Sequence, residues 1–352
     1  MTAVHLVVPE GIDDPARPSG GNTYDRRICV GLDEIGWPVH VHAVPGSWPR
    51  PEAAAYAALA AVVQQIPDGD LALLDGLVAS TAPEVLVPQA HRLRLVLLVH
   101  MPLGQDETDN GVRTREGAVL AVAASVVTTS AWSRRTLLEL YSLPDDRVHV
   151  AEPGVDVAPL SPGTATGGAL LCVAAVIPGK GHDVLLDALA TMRELSWDCL
   201  CVGSVDRNPA FAANLARLAS DEELRGRVRF AGPCTGADLD RSYESADLVV
   251  LASRAESYGM VVTEALAHGL PVVAADVGGV ADALGHGTDG TRPGLLVPPD
   301  DPAALATGLR AWLGDAGLRE TWRCAARERR ASLSGWSRTT SVLASVLAEA
   351  AR

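Results

Sequence analysis

Two glutamates, Glu256 and Glu264, flank a glycine turn at the start of an apolar helical pattern. Carboxylates accept hydrogen bonds from hydroxyls, and Gly259 between them allows a ligand to approach the backbone closely. The N–H groups of Met260 and Val261 are expected in the first turn of the helix, where unpaired amides and the helix dipole favour an anion such as a diphosphate. Together these groups predict a site for a molecule that carries both hydroxyls and a diphosphate.

A sugar nucleotide is such a molecule. Glu256, which precedes the helix, is expected to accept from hydroxyls of the sugar ring, and Glu264, just over one turn inside the helix, from a ribose diol. Without hydroxyls to bind, two carboxylates beside an anion would be unfavourable, because like charges repel at close range. Ser257 and Tyr258 belong to the same segment, 254–271, and are further candidates for contact with the donor. The alternative to a sugar-nucleotide site is a solvated helix in which a glutamate caps the first turn.

The elements around this segment would place it at one edge of a sheet. Residues 246–253 are apolar and β-branched, which predicts a buried parallel strand, and residues 270–275 predict the next strand after the helix. In such βαβ units ligands bind beyond the carboxyl ends of the strands, which is where the loop 253–259 is expected.

Strand and helix patterns alternate along the whole chain, which predicts an α/β protein with doubly wound parallel sheets. In the first half the predicted strands are 4–8, 38–44, 70–74, 93–99, 125–129 and 147–151, and the predicted helices are 22–35, 52–65, 115–124 and 131–141. In the second half the predicted strands are 169–176, 198–203, 227–231, 247–252 and 271–275, and the predicted helices are 183–194, 236–244, 301–313, 315–331 and 336–351.

The length of 352 residues exceeds one ordinary core, so two domains are expected. Residues 158–168 contain three glycines and two prolines and predict a linker. We therefore expect an acceptor-binding domain of residues 1–158, a nucleotide-sugar-binding domain of residues 159–335, and a C-terminal helix, 336–352, that packs back on the first domain. The expected fold class is two Rossmann-like domains that face a cleft.

Further candidate residues lie at the ends of predicted strands. Gly20 and Gly21 stand before the first helix, where a double glycine allows a ligand close to backbone amides, although the third glycine of a dinucleotide fingerprint is missing. His100 follows the fourth predicted strand and would point into the cleft, with a hydrogen-bonded structural histidine as the alternative. Lys180 lies in a glycine-flanked turn, where an ammonium can meet phosphate oxygens. Gly232 is expected at the same sheet edge.

Three residues are candidates for contact with an acceptor. Asn22 opens the first predicted helix, and Arg113 and Arg115 lie in a polar stretch, 104–116. The alternative for the two arginines is solvated charge.

No metal is predicted. Asp238 and Asp240 have the D-x-D spacing with which other sugar transferases bind a divalent ion, but a helix turns residues two apart by about 200°. The six cysteines have neither a C-x-x-C pair nor the spacing of metal ligands, so they are expected to be reduced thiols.

The balance of 43 acidic against 29 basic residues gives a net charge of −14, which argues against nucleic acid or an anionic membrane surface as a partner. A hydrophobic content of 48% with 4% aromatic residues is typical of a globular α/β protein. The N-terminus lacks the pattern of a signal peptide, and no apolar run reaches roughly 18 residues. We expect a cytoplasmic, bacterial-type protein without integral membrane contact, either a monomer or a weak homo-oligomer.

The second half resembles the nucleotide-binding domain of the family-4 glycosyltransferases, the retaining, glycogen-synthase-like enzymes with the two-domain GT-B arrangement. The likeness rests on Glu256 and Glu264 with Ser-Tyr-Gly-Met-Val between them, on AHGLPVV at 267–273, on the glycine pair 278–279, on Lys180-Gly181 and on PGVD at 153–156. It is specific between about 150 and 300 and weaker before residue 145, where Gly20, Gly21 and His100 extend it.

The resemblance implies a role for each matching residue. Lys180 and the N–H groups of Met260 and Val261 would contact the donor diphosphate, Glu256 would hold the donor sugar, and Glu264 would hold the ribose. The donor-binding set is then Gly20, Gly21, Lys180, Gly232, Arg254, Ser257, Tyr258, Gly259, Met260, Val261 and Glu264.

The resemblance also assigns the chemistry. Gly21 would lie against the diphosphate and His100 beside the sugar near the acceptor, so Glu256, His100 and Lys180 are the expected catalytic residues. The family transfers a sugar from a nucleotide donor with retention and without a metal. The protein's part would be positioning the reactants and stabilising the leaving diphosphate.

One position departs from the family pattern. Where an arginine beside the diphosphate is usual, in G-R-x-x-P-x-K-G, this chain has Ala175. Lys180 would then be the sole cation of that loop, and either Arg254 or Arg207 would compensate or the donor would bind more weakly. Asp282 replaces the glutamate common after the glycine pair, and nothing follows from it.

The sequence therefore predicts a retaining, metal-independent glycosyltransferase that uses a UDP- or GDP-sugar and a small soluble acceptor, with no cofactor. Two alternatives stay open. One is a sugar-nucleotide epimerase or phosphorylase of the same build. The other is a non-catalytic nucleotide-sugar-binding protein, which Ala175 favours.

Overall fold

The computed structural model describes residues 2–105, 110–221 and 224–352, and the chain divides into two compact units. The first unit comprises Met1–Asp13, Gly20–Gly154 and Gly335–Arg352, and the second comprises Asp14–Ser19 and Val155–Ser334. Within the described ranges, no helix is both long and apolar enough to cross a lipid bilayer.

The strands are β1 (Val4–Pro9), β2 (Val39–Val44), β3 (Leu71–Asp75), β4 (Arg94–Val99), β5 (Ser125–Thr128), β6 (Val148–Val150), β7 (Ala169–Val173), β8 (Asp198–Val202), β9 (Val228–Gly232), β10 (Leu248–Leu251), β11 (Val272–Ala275) and β12 (Gly294–Val297). The α-helices are α1 (Gly20–Glu34), α2 (Ala53–Gln65), α3 (Gly76–Ala79), α4 (Pro83–Leu86), α5 (Asn110–Val122), α6 (Ala131–Tyr141), α7 (His182–Ala190), α8 (Pro209–Leu218), α9 (Ala237–Glu244), α10 (Met260–Ala267), α11 (Val280–Leu284), α12 (Pro302–Gly314), α13 (Ala316–Arg330) and α14 (Trp336–Ala350).

The first unit is built on a six-stranded parallel sheet with the order β2-β1-β3-β4-β5-β6. Its central strands β3 and β4 are buried on both faces because helices cover both. Val7 and Leu74 pack on one face against Leu59 of α2. Leu6 packs on the other face against Ile28 of α1.

Helix α14 completes the α1 side of this unit. Leu343 and Leu347 of α14 are fully buried in the same core as α1. The two helices approach closely at Gly31, where an added Cβ would stand 2.2 Å from Oγ1 of Thr340. The last helix therefore packs on a core whose other buried members lie between Val4 and Ala151.

The second unit repeats this architecture. Its six-stranded parallel sheet has the order β12-β11-β10-β7-β8-β9. One core lies between the sheet and α7, α8 and α12, and a second lies between the opposite face and α10, α11 and α13. The predicted fold class, two doubly wound parallel-sheet domains, is confirmed.

The segment 158–168, whose composition predicts a linker, is held to the second unit by hydrogen bonds. Ser161 Oγ donates to the carbonyl oxygen of Ala246 at 2.7 Å. The buried carboxylate of Asp247 accepts from the Thr164 hydroxyl at 2.6 Å and pairs with Arg323 at 2.8 Å. The glycines and prolines therefore lie in ordered chain packed on this unit.

Candidate functional site

Two loops at the carboxyl ends of neighbouring strands form the candidate site in the second unit. One follows β7 and carries Lys180, and the other follows β10 and carries Glu256. Gly181 allows the loops to meet, because its φ is +65° and an added Cβ would stand 1.9 Å from the carbonyl oxygen of Ala252. Only glycine fits this position without a shift of the backbone.

Lys180 and Glu256 form an ion pair. Nζ of Lys180 lies 2.6 Å from Oε1 of Glu256, and the hydroxyl of Ser253 donates to the same oxygen at 2.7 Å. The N–H of Arg254 donates to the carbonyl oxygen of Gly179 at 2.9 Å and fastens the two loops together. The Lys180 side chain is 28% exposed and that of Glu256 14%, so removing one partner would leave the other charge poorly compensated.

Helix α10 begins directly after the Glu256 loop. Gly259 precedes it with φ +92°, and Met260 and Val261 are its first residues, so their N–H groups lie at the positive end of the helix. The loop packs tightly on its neighbour, because an added Cβ on Gly279 would stand 2.5 Å from the carbonyl oxygen of Ser257. These amides can therefore donate to an anion at the start of α10, just after the loop that carries Glu256.

Glu264 lies on α10, just over one turn after its start. Its Oε2 accepts a hydrogen bond from the hydroxyl of Tyr243 at 2.8 Å, and the Tyr243 ring stacks on His268 with the centroids 4.8 Å apart. Burial raises the pKa of the Glu264 carboxyl, although the Tyr243 hydrogen bond opposes the shift. Tyr258, just before the helix, is buried in the core on this side of the sheet.

Arg254 is already paired with carboxylates. Its guanidinium donates to both oxygens of Asp183 at 3.0 and 2.9 Å, and its Nε donates to Oδ1 of Asp300 at 2.6 Å. Burial alone would raise the pKa of Asp183, but the hydrogen bonds and charge of Arg254 lower it. The guanidinium also donates to the carbonyl oxygen of Pro178, so Arg254 ties the two loops together.

The loop after β8 packs against both of its neighbours. The N–H of Gly203 donates to the carbonyl oxygen of Gly232, which ends β9 with φ +76°. An added Cβ on Gly203 would stand 1.9 Å from the carbonyl oxygen of Ala174. Arg207 belongs to this loop, whose Gly203 packs against the loop that contains Ala175.

The guanidinium of Arg207 contacts backbone oxygens. It donates to the carbonyl oxygens of Arg17 at 3.1 Å and Pro18 at 3.4 Å, within the segment Asp14–Ser19 of the same unit. Partial burial and the neighbouring charge of Arg17 lower the pKa of Arg207. Among the residues that the structure describes, neither arginine has a carboxylate within ion-pair distance.

His100 lies in a cluster of buried acids in the first unit. Its Nε2 lies 2.8 Å from Oδ1 of Asp25 and 3.6 Å from Oδ2 of Asp75. Burial alone would lower the pKa of His100, but the two aspartates raise it to about 9, and burial and Asp25 raise the pKa of Asp75. Gly20 begins α1, and Gly21 lets the His100 ring lie against that helix, since an added Cβ would stand 3.3 Å from the ring.

The predicted acceptor residues differ in their surroundings. Asn22 lies in the first turn of α1. Arg115 donates to a backbone carbonyl oxygen at 2.7 Å and to Glu84 at 2.9 Å, so its side chain fastens α4 to α5. Arg113 is exposed and donates to a carbonyl oxygen of α6 at 3.4 Å. Residues 106–109 of the polar stretch lie outside the described residues.

Asp238 and Asp240, the D-x-D pair, lie on a helix as predicted and contact different residues. Asp238 pairs with Arg241 on the same helix, α9. Asp240 lies 3.8 Å from Nε2 of His268.

Ser253, Asp75, Asp25 and Tyr243 are among the polar residues of these clusters that escaped the sequence analysis. Ser253 and Asp75 stand just after or at the end of buried strands, so their positions at the sheet edge carried a usable signal. Asp25 and Tyr243 lie on helices, and their contacts with His100 and with Glu264 depend on packing between elements far apart in sequence.

The two units reproduce a fold known from solved structures. Sucrose-phosphate synthase from Thermosynechococcus elongatus matches with a TM-score of 0.79 and 22% identity over 98% of each chain. Anabaena Alr3699/HepE, solved in complex with UDP-glucose, matches with a TM-score of 0.76 and 21% identity over 99% of this chain and 100% of that one. The fold is therefore that of the GT-B glycosyltransferases.

The family follows from sequence relatives. A family model described as "Glycosyl transferases group 1" matches residues 167–315. Over 66% of its length the chain is 35% identical to a D-inositol 3-phosphate glycosyltransferase of Jonesia denitrificans, and over 77% it is 32% identical to D-inositol 3-phosphate glycosyltransferase 1 of Catenulispora acidiphila. The chain belongs to the group 1 glycosyltransferases. It spans 58% and 68% of the lengths of these two relatives.

Proposed function

We propose that the protein is a retaining glycosyltransferase that moves a sugar from a nucleotide-diphosphate sugar to a small soluble acceptor without a metal ion. The observation that carries the proposal is the Lys180–Glu256 ion pair beside the first turn of α10. Lys180 supplies a cation for a phosphate, and Glu256 supplies a carboxylate for sugar hydroxyls. The N–H groups at the start of α10 can donate to phosphate oxygens. The UDP-glucose complex of the Anabaena neighbour supports a UDP-sugar as donor before a GDP-sugar.

Donor binding would exchange one ion pair for two ligand contacts. Before binding, Lys180 and Glu256 compensate each other. When the donor binds, Nζ of Lys180 donates to the diphosphate, and hydroxyls of the sugar ring donate to Glu256. Ser253 continues to donate to Glu256, so the carboxylate stays in place while the lysine turns to the phosphate. Glu264 accepts from the ribose diol.

The chain's part in the transfer would be positioning and charge stabilisation. As the bond between the sugar and the diphosphate breaks, negative charge grows on the diphosphate, and Lys180 and the N–H groups of Met260 and Val261 stabilise it. The acceptor hydroxyl forms the new glycosidic bond, and its proton leaves with the diphosphate. No covalent bond to the protein is required.

The relatives and one exposed cation support a proposal for the acceptor class. The names of the curated relatives specify a phosphate-bearing polyol as their substrate. Arg113 is exposed and makes only a long hydrogen bond of 3.4 Å among the contacts that the structure describes for it. We therefore place Arg113 at the phosphate of a small phosphorylated polyol, and Arg115 in a structural role.

The experiment that tests the function is a donor panel. Thermal unfolding is followed with UDP-, GDP- and ADP-sugars, and the donor that stabilises most is incubated with pools of small acceptors and examined by mass spectrometry. We expect the largest shift with a UDP-sugar and no shift in the Lys180→Met variant. A chain that no nucleotide sugar stabilises would contradict the proposal.

Three further readouts separate the transferase from its alternatives. Slow hydrolysis of the donor without acceptor is expected of a transferase and not of a non-catalytic binding protein. The anomeric configuration of the product, read by nuclear magnetic resonance, should equal that of the donor. Transfer should continue unchanged in EDTA.

We place Arg207 and Arg17, rather than Arg254, as the cations that offset Ala175. Arg254 would have to leave two carboxylates to reach a phosphate, whereas Arg207 and Arg17 contact no carboxylate among the described residues. Arg207→Ala is expected to weaken UDP binding about tenfold, the loss of one charge-assisted contact. Calorimetric titration measures it, with Arg217→Ala on the exposed end of α8 as the matched control. The assignment fails if Arg254→Ala weakens binding and Arg207→Ala leaves it unchanged.

A further inference from the structure

Three histidines share one face of the first sheet at its edge. Strands β1 and β2 pair in parallel with His5 opposite His40, and His42 lies two positions further along β2 and hence on the same face. β2 is the edge strand of the sheet. His5 is buried, His42 is half-buried and His40 is exposed.

The nearest imidazole nitrogens belong to His5 and His42. Nδ1 of His5 lies 2.9 Å from Nε2 of His42. The ring centroid of His5 is 5.0 Å from that of His40 and 5.2 Å from that of His42. The other nitrogen of His5, Nε2, lies 3.3 Å from Oδ2 of Asp70, the residue just before β3.

Asp70 determines the tautomer of His5. A carboxylate accepts a hydrogen bond, so Nε2 of His5 carries the hydrogen and donates to Asp70, and Nδ1 is left as an acceptor. Nδ1 then accepts a hydrogen bond from the Nε2–H of His42 across 2.9 Å.

We propose that His5, His40 and His42 form a binding site for a divalent transition-metal ion of the Zn²⁺, Ni²⁺ or Cu²⁺ class. The ion takes the place of the hydrogen between Nδ1 of His5 and Nε2 of His42, and that proton moves to Nδ1 of His42, so both imidazoles stay neutral. Two bonds of about 2.0–2.1 Å at a tetrahedral angle span about 3.3 Å, so these nitrogens need to separate by only a few tenths of an ångström. The exposed ring of His40 turns to supply a third ligand, and water supplies the fourth.

The ligand set selects the class of metal. Imidazole nitrogens suit Zn²⁺, Ni²⁺ and Cu²⁺, whereas Mg²⁺ and Ca²⁺ prefer oxygen ligands. Asp70 holds His5 through the nitrogen that does not bind the ion, an arrangement that orients the ring and raises its basicity.

The site would stabilise the edge of the first unit. An ion held by His5 on β1 and by His40 and His42 on β2 ties the edge strand to β1, its neighbour in the sheet. Because the unfolded chain does not hold these ligands together, metal binding stabilises the fold. None of the residues proposed for sugar transfer takes part, so the inference does not rest on the proposed function.

The test uses the full chain without a histidine tag, stripped of metal and then titrated with ZnCl₂ by calorimetry. We expect one ion per chain and an unfolding temperature that rises with Zn²⁺. His40→Gln and His42→Gln should each weaken the Kd for Zn²⁺ at least about tenfold, and Asp70→Asn should weaken it by about 10–100-fold. His91→Gln is the matched control, since His91 is an exposed histidine of the same unit that contacts a backbone oxygen.

The outcomes are exclusive. His5 is buried, so a variant at His5 could fail to fold. His40 is exposed, so His40→Gln should fold normally and still tests the site. The proposal is overturned if the titration shows no saturable site, if His40→Gln and His42→Gln bind Zn²⁺ like the wild type, or if Mg²⁺ stabilises the chain equally. Sugar transfer should be unchanged in His40→Gln, so failure of the metal site and failure of the proposed function are separate results.

Discussion

At the level of single residues, the charges of the candidate site compensate one another. Lys180 faces Glu256, and Arg254 faces Asp183 and Asp300. These pairs differ in function. Lys180 and Glu256 are the groups to which a diphosphate and a sugar would bind. Arg254 and its two aspartates instead join the loops that carry Lys180 and Glu256. A ligand therefore needs to exchange only the first pair.

His100 should make stability depend on pH. Asp25 and Asp75 raise its pKa to about 9 in the folded chain, against 6.5 for an ordinary histidine. A group whose pKa is raised by folding stabilises the fold fully below the unfolded pKa and loses that contribution as the pH rises through the folded pKa. The free energy of unfolding should therefore fall by an amount on the order of 3 kcal/mol between pH 6.5 and 9.

Urea unfolding at pH 6.5 and at pH 9 measures this effect. His100→Gln cannot titrate and should lose most of the slope, whereas His149→Gln, on the edge strand β6, should keep it. Equal slopes in the wild type and in His100→Gln would show that the aspartates do not hold His100 as an imidazolium.

At the level of elements, the turn between β7 and α7 should tolerate no side chain at Gly181. Gly181→Ala would place a Cβ 1.9 Å from the carbonyl oxygen of Ala252, in a residue with φ +65°. We expect a loss of about 2–4 kcal/mol in the free energy of unfolding, from the clash and the left-handed backbone together. UDP binding should weaken as well, because Lys180 is the preceding residue.

Gly179→Ala is the matched control for this turn. No heavy atom lies within 4 Å of a Cβ there among the described residues, so its stability should stay within about 0.5 kcal/mol of the wild type. Chemical denaturation and calorimetry with UDP measure both variants. If the two behave alike, the contact between Gly181 and Ala252 does not position Lys180.

The elements at the candidate site could be predicted because their pattern is local. The strand expected at 247–252 is Leu248–Leu251, and the helix expected after Gly259 is Met260–Ala267. β12 was not predicted, because Gly294–Val297 is only four residues long and exists as a strand through its pairing with β11. α8 was not predicted, although Asn208 caps it and Phe211, Leu215 and Leu218 share its core-facing side, so a local signal for this helix was overlooked.

The contacts within the site could be predicted only in part. The types and positions of Lys180, Glu256 and Glu264 are local features of the sequence. That Arg254 is held by Asp183 and Asp300 could not be read from the sequence, because these residues come from three separate loops or helices. Side-chain partners of this kind are decided by tertiary packing.

At the level of the whole molecule, the first unit draws its core from both halves of the sequence. Leu343 of α14 is fully buried with Leu6 of β1 and Ile28 of α1. Leu343→Ala should lower the free energy of unfolding by about 2–5 kcal/mol. Hydrogen exchange read by mass spectrometry should accelerate in β1 and α1 and stay unchanged in β10 and β11.

Ser341→Ala is the control for this variant, because Ser341 lies two residues before Leu343 on the exposed side of α14. It should leave exchange unchanged everywhere. Faster exchange in β10 and β11 than in β1 after Leu343→Ala would contradict the assignment of α14 to the first unit.

The measurement that tests the central claim most directly is made on Glu256→Gln, with the transfer rate and the UDP affinity determined on the same protein. If Glu256 holds the donor sugar, transfer should fall at least about 100-fold, a loss of roughly 3 kcal/mol of transition-state stabilisation. UDP should bind as tightly as to the wild type or more tightly, because Lys180 no longer faces a carboxylate. Equal loss of transfer and UDP binding, or full transfer activity, would contradict the account.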